Sequence, residues 1–227
     1  MAYFPFFMDV GQMEGLIVGG GPVALRKALR LLEWGARLRV VAPKAEEGFL
    51  ALERKGTLFL ELRAWRPKDL EGADFVVAAS SDRELNRQVA GECHRRGILF
   101  NTADGREAGG FLFPALVREG PVTVGICTGG ASPVLAASLK ERVREALPPG
   151  TGAAAECLGH WRGYVRERIG SQKEREAAFR ALFEAAMDRG GAVSPEQAEE
   201  IVNRYCLAGK GEGIGRARVR REPGDGE

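Results

Sequence analysis

The chain has 227 residues, a formal net charge of +2 and 44% hydrophobic residues. That size holds one sizeable domain and a smaller one, and nearly balanced charge gives no field that would gather nucleic acid. Cys93, Cys127, Cys157 and Cys206 are widely separated, with no Cys-x-x-Cys pair and no nearby histidine, which argues against zinc and for reduced thiols in a cytoplasmic protein. No apolar stretch approaches the ~18 residues of a membrane span.

Tyr3 to Met8 is aromatic and interrupted by Pro5, the pattern of an edge segment covering a sheet, and it lacks the basic start and cleavage site of a signal peptide. Leu16 to Val18 reads as the first strand. Gly19, Gly20 and Gly21 follow it, and then a helix from Pro22 to near Gly35 with apolar Val23, Ala24, Ala28, Leu31 and Leu32; Arg26, Lys27 and Arg30 are assigned to its other faces. Leu38 to Pro43 forms a second strand, Glu46 to Lys55 a helix, and Thr57 to Leu62 a third strand. Asp74 to Ala79 has the continuous apolar character of a strand buried on both faces. A helix over Arg83 to Arg96 and a strand over Ile98 to Asn101 complete an alternation that predicts an α/β, doubly wound parallel sheet.

After Gly110 the character changes. Phe111 to Val117 and Val122 to Cys127 predict an antiparallel hairpin, and Pro133 to Leu147 predicts a helix carrying Val134, Leu135, Leu139, Val143 and Leu147 on one side. A lone hairpin and helix bury little surface, so this unit needs a partner: the rest of the chain or a second subunit. Pro148-Pro149-Gly150 marks a boundary, and Thr151 to about Leu207 is helical in pattern, ahead of a charged, glycine-rich end. The expected divisions are 1–110, 111–149, 150–208 and a disordered tail at 209–227.

Gly19, Gly21 and Ala24 fit the fingerprint Gly-x-Gly-x-x-Ala: a tight turn, an opening for a pyrophosphate, and close packing of helix on strand. Pro22 suits the first helical turn, whose free N–H groups, beginning with that of Val23, favour an anion. In open parallel sheets ligands lie beyond the carboxyl ends of the strands, here Gly19 to Val23, Pro43 and Lys44, Ser80-Ser81-Asp82, and Asn101 to Asp104. The usual acid about 20 residues further on is missing, since the second strand ends in Ala42-Pro43-Lys44. Backbone groups can hold the ribose instead, and Lys44 can favour a 2′-phosphate, so the residues leave NAD and NADP both open. Ser80-Ser81-Asp82 reads as a helix cap rather than a nucleophile. Asp104 stands on the loop leaving the fifth strand, where a proton acceptor is useful, although Asp104-Gly105 is equally the sequence of a solvated turn. His94 reads as a surface residue and His160 as packing.

The order of these motifs is informative. Val18 to Lys27, Val40 to Pro43, Ala78 to Asp82 with Asn86, Asn101 to Asp104, Phe111 to Ala115, and Thr128-Gly129-Gly130-Ala131-Ser132-Pro133-Val134-Leu135 together resemble the siroheme synthase N-terminal module over residues 1 to about 150. The resemblance implies a Rossmann-type NAD-binding domain followed by a small α+β dimerisation unit and a helical C-terminal region. It further implies NAD-dependent oxidation of the tetrapyrrole precorrin-2 to sirohydrochlorin in a homodimer; charge and hydropathy point to neither a nucleic-acid nor a membrane partner. It implies Asp104 as the general base, the three glycines with Pro22, Val23 and Ala24 at the pyrophosphate, and Ser80, Ser81 and Asp82 near the nicotinamide. Some family members are also sirohydrochlorin ferrochelatases; scarce histidine and the lack of metal-ligand spacing argue against that second activity, and no resident metal is expected. A non-enzymatic, dinucleotide-sensing dimer is the remaining alternative. Thr102-Ala103, Gly105 to Gly109, and the region from Thr151 depart from the family pattern.

Overall fold

The computed structural model describes residues 3–103 and 110–211, and for 207–211 only the backbone course. The described chain divides into two compact units, Met1–Phe113 with Gly129–Ser132, and Pro114–Thr128 with Pro133–Glu227.

The first unit is built on five parallel strands, β1 (Glu14–Val18), β2 (Arg37–Val41), β3 (Phe59–Glu61), β4 (Phe75–Ala78) and β5 (Leu99–Thr102), in the order β3-β2-β1-β4-β5. Register is continuous: Val18 pairs with Val41 on one side and Ala78 on the other, and Val77 with Asn101. The central strands are buried on both faces, which is why Leu16-Ile17-Val18 and Phe75-Val76-Val77-Ala78 read as unbroken apolar runs. Helix α1 (Pro22–Leu32) and helix α2 (Glu47–Arg54) cover one face with a core that includes Ile17, Ala24, Ala28, Leu31, Val40, Phe49 and Val77. Helix α3 (Arg83–Arg96) covers the other, over Leu16, Val18, Val76, Val89, Cys93 and Phe100, and ends at Gly97 in the left-handed conformation, φ 68°.

Two expectations for this unit change. Lys27 shares the inward stripe with Ala24, Ala28 and Leu31, because positions three and four apart on a helix share a face; Val23 is the residue that turns outward, 38% exposed. Phe4, Phe6 and Phe7 of the first segment are more than 70% exposed, so those three rings stand in solvent rather than covering the sheet, while Tyr3 lines a small cavity with Phe100, Asn101 and Thr102 of β5. The link from β3 to β4 contains a short 3₁₀ turn, Pro67–Leu70, anchored by the buried Asp69. The Asp69 carboxylate accepts from Arg63 at 2.7 and 2.8 Å and from the Arg66 N–H at 2.8 Å.

The second unit begins with a two-stranded antiparallel hairpin, β6 (Ala115–Glu119) and β7 (Val122–Ile126), turning at Gly120 with φ 54°. Its first strand starts four residues later than predicted. Phe111 to Phe113 instead belong to the first unit: the Phe111 N–H donates to the Phe100 carbonyl at 2.9 Å, its ring stands edge-on to Phe75, and Phe113 packs beside it. Helix α4 (Pro133–Ala146) has no buried residue, and Val134, Leu135 and Leu139 are 80%, 51% and 36% exposed. Helices α5 (Thr151–Arg168), α6 (Gln172–Met187) and α7 (Pro195–Gly211) pack around Trp161, Val165, Leu182, Ala198 and Val202. The predicted tail from 212 onward lies outside the described residues. Among the described residues no helix is long and apolar enough to cross a membrane.

Candidate functional site

The strand order reverses between β1 and β4, and there the carboxyl ends of the two strands bring together three of the predicted loops. Gly19 has φ 128°, and a Cβ on it would lie 2.5 Å from the Ala79 carbonyl oxygen and 2.8 Å from the Ser80 nitrogen. Only glycine satisfies both the dihedral and the space. Gly20 meets the loop after β2 just as closely: a Cβ would sit 2.1 Å from the Lys44 carbonyl oxygen, while the Gly20 carbonyl accepts from the Glu46 N–H at 2.8 Å. Gly21 differs from both. Its backbone is extended, and a Cβ there would meet nothing within 4 Å.

Gly21 is also the N-cap of α1, which has Pro22 at its first position and no side-chain cap. The first-turn N–H groups thus have no side-chain acceptor and point past a glycine whose outer side is open, a combination suited to a phosphate. Ala24 is fully buried, which lets α1 approach the sheet closely. Pro43 and Lys44 are exposed beside Gly20. A dinucleotide pyrophosphate fits the loop by this test of open space and free donors.

Ser80 is held by a residue whose role the motif reading did not assign. The buried Asn86 carboxamide accepts from the Ser80 N–H at 3.0 Å and donates to the Ser80 carbonyl at 2.9 Å. Asp82 caps α3, accepting from the Glu84 and Leu85 N–H groups, and its own N–H donates to Ser80 Oγ at 3.1 Å. These contacts account for the Ser80-Ser81-Asp82 pattern as loop architecture, with Ser81 exposed at its tip.

Asn101, at the end of β5, is 5% exposed and both ends of its carboxamide are engaged: Lys27 Nζ donates to Oδ1 at 2.9 Å and Nδ2 donates to the Phe111 carbonyl at 2.8 Å. Its position is that of a brace under the β5 end of the site. Lys27 also lies 4.1 Å from the centre of the Phe113 ring. Burial, with the neighbouring charges of Arg26 and Arg30, lowers its pKa to about 8. Its place three residues after Ala24 and four before Leu31 was the signal that would have found it. Asp104 lies outside the described residues. His94 is exposed in the last turn of α3, and His160 is exposed with its ring edge-on to Trp161. Among the described residues no group of three or more His, Cys, Asp and Glu side chains could hold a metal ion.

A parallel sheet in this order, with a glycine loop leading to an uncapped helix N-terminus at the reversal point, defines a Rossmann-type dinucleotide-binding protein. Residues 6–115 match the family model described as "Putative NAD(P)-binding". The siroheme synthase of Photorhabdus laumondii is 36% identical over 215 residues, which are 92% of this chain and 46% of that protein. Siroheme synthase 1 of Serratia proteamaculans is 33% identical over 230 residues, 99% of this chain and 48% of that one. Over nearly its whole length the chain is thus similar to siroheme synthases. It spans about half the length of the curated relatives it matches. The solved structure titled SirC, precorrin-2 dehydrogenase, has the same fold, with a TM-score of 0.69 at 24% identity over 89% of this chain and 98% of that one.

Proposed function

We propose that this chain is an NAD-dependent precorrin-2 dehydrogenase that forms sirohydrochlorin, working as a cytoplasmic homodimer. The observation that carries the reading is the cradle at the β1–β4 reversal, where Gly19 and Gly20 are fixed by two neighbouring loops and Gly21 is left open, in a chain of siroheme synthase ancestry.

NAD, when bound, supplies the hydride acceptor. The chain's contribution is alignment and proton handling. The α1 N-terminus and the Gly21 opening receive the pyrophosphate, and the Lys44 side and the braced Ser80 loop flank it. Removing a hydride from precorrin-2 leaves a proton to be taken up, and Asp104 is the acceptor on this reading. The carboxylates of the substrate call for cations, with Arg118 and Lys140 as the candidates. The dimer is supported by α4, whose apolar Val134, Leu135 and Leu139 are exposed in the single chain. Among the described residues the four cysteines form no disulfide, which supports a reducing setting.

The test is spectroscopic: purified protein with precorrin-2 and either NAD or NADP should form sirohydrochlorin, faster with NAD. No product with either cofactor overturns the reading. Sirohydrochlorin with ferrous iron and no NAD tests for ferrochelatase activity in the same assay format.

A further inference from the structure

The Lys27 ammonium joins three pieces of chain that are separate in sequence. It belongs to α1, the helix that begins at the glycine loop. It donates to Asn101 at the carboxyl end of β5 and lies over the ring of Phe113, which belongs to the stretch returning along β5. Asn101 passes the connection on by donating to the Phe111 carbonyl, and Phe111 donates to the Phe100 carbonyl. The return is close: a Cβ at Gly110 would sit 1.8 Å from the Phe100 oxygen.

Packing alone does not call for a lysine here. The surrounding stripe is Ala24, Ala28 and Leu31, and an unbranched apolar side chain such as methionine would fill the same volume without desolvating a charge. Lys27 forms no ion pair among the described residues. Among the described residues the charged groups that act on it are Arg26 and Arg30 on its own helix. Tyr3 lines a small cavity with Asn101, Thr102, Gly110 and Leu112, and is the titratable residue of that lining. The described faces of β5 and of residues 110–113 contribute no other titratable group. What the ammonium adds over an apolar residue is a directed, charge-assisted bond to Asn101 and a cation–π contact with Phe113, and both weaken when the amine is neutral.

We infer that Lys27 is a positioning residue of the site: while protonated it holds the end of β5 and the 110–113 stretch in register with α1, and it relaxes that hold on losing its proton. The activity arm of this inference rests on the precorrin-2 reading; the structural arm does not. A group that lowers its proton affinity into the working range of an enzyme makes this brace responsive to pH.

The experiment compares wild type, Lys27→Met and Lys27→Arg as full chains between pH 6.5 and 9.5. In wild type the Asn101 side-chain amide signals in a ¹H–¹⁵N spectrum shift with a midpoint near pH 8; in both variants they stay flat, because methionine carries no proton and arginine keeps its own. With precorrin-2, kcat of wild type falls several-fold above the same midpoint. Lys27→Met has a kcat about tenfold lower at pH 7 and no alkaline fall, and Lys27→Arg recovers much of the loss and also lacks the fall. NAD affinity stays within twofold throughout. Circular dichroism melts check folding, and Lys27→Arg carries the comparison if the methionine variant is unstable. A flat Asn101 signal in wild type, or an alkaline fall retained in both variants, overturns the inference. If Asn101 titrates and none of the three proteins oxidises precorrin-2, the substrate reading falls and the Lys27 connection stands.

Discussion

Three adjacent glycines in one loop should respond to the same substitution in different ways. At Gly20 an alanine Cβ would lie 2.1 Å from the Lys44 carbonyl oxygen and 2.8 Å from Ala45 Cα. The first distance is more than 1 Å inside an ordinary carbon–oxygen contact of roughly 3.3 Å. Both opposing atoms are backbone, so the β2 loop must move, and Gly20→Ala should cost about 2–3 kcal/mol. Gly19→Ala combines a Cβ 2.5 Å from the Ala79 oxygen with φ 128°, and should cost at least as much. Gly21 has φ −85° and ψ −178°, which any residue adopts, and open space around it. For Gly21→Ala the weaker N-cap and the less flexible unfolded chain nearly offset each other, leaving stability within about 0.5 kcal/mol of wild type. The same methyl group then stands where the pyrophosphate approaches, so NAD should bind at least tenfold more weakly, about 1.4 kcal/mol. Urea denaturation and calorimetric titration with NAD measure the two quantities on the same samples. A Gly21→Ala protein that is stable and binds NAD as wild type does would place the phosphates elsewhere, and a Gly20→Ala protein as stable as wild type would refute the close approach of the two loops.

Asp104→Ala should lower precorrin-2 turnover at least a hundredfold while NAD affinity, read by titration, changes less than twofold; near-normal turnover would assign the proton to another acceptor. Arg63→Ala should cost about 3 kcal/mol at pH 7 by leaving the Asp69 carboxylate, 6% exposed, without its guanidinium. Burial alone would raise the Asp69 pKa, but Arg63 and the Arg66 N–H outweigh it and hold the carboxyl below its usual range. A depressed folded-state pKa contributes stability above the unfolded value of about 3.9 and loses it as pH falls through the folded value. The gap in urea midpoint between wild type and Arg63→Ala should therefore narrow below about pH 4, and a constant gap would refute the coupling. Val134→Glu with Leu139→Glu should convert a dimer to a monomer in sedimentation velocity, since both positions are exposed on α4; an unchanged dimer would move the interface to another surface. Lys27→Met should gain stability relative to wild type as pH falls from 10 toward 7, by about 2 kcal/mol after allowance for solvent on the open side of the amine. The sign follows from a folded-state pKa near 8 set against 10.5 unfolded, which penalises the protonated folded form; urea midpoints at the two pH values that do not diverge would refute it.

The parallel sheet was legible because strands buried on both faces leave continuous apolar runs, and Leu16 to Val18 and Phe75 to Ala78 could be mistaken for little else. The glycine loop was legible as a motif, yet the fingerprint gave separate roles only to Gly19 and Gly21. It offered no reason for Gly20, whose constraint comes from Lys44 and Ala45, residues that no local pattern connects to it. Lys27 was assigned to the wrong face because its charge was weighed above its position, although the spacing from Ala24 to Leu31 already put it inward. Phe111 and Phe113 looked like strand residues since aromatic alternation suits either a hairpin or a cover over another sheet. Pairing decides between these, and the Asn101 carboxamide claims the Phe111 carbonyl first.

The contacts that organise the cofactor end of the site are made mainly through backbone atoms. The Gly20 carbonyl accepts from Glu46, Gly19 is closed in by Ala79 and Ser80, and Asn86 grips the amide and carbonyl of Ser80. Loops fixed this way need no reordering when a dinucleotide arrives, so less of the binding energy is lost to immobilising them. On the proposed reading the backbone around Pro43 and Lys44, held close to Gly20, takes the place of a ribose carboxylate at the end of β2. Side-chain changes at the exposed Lys44 and Ser81 should accordingly matter less than any change that shifts those backbones, and Asn86 is the side chain whose loss would reach furthest.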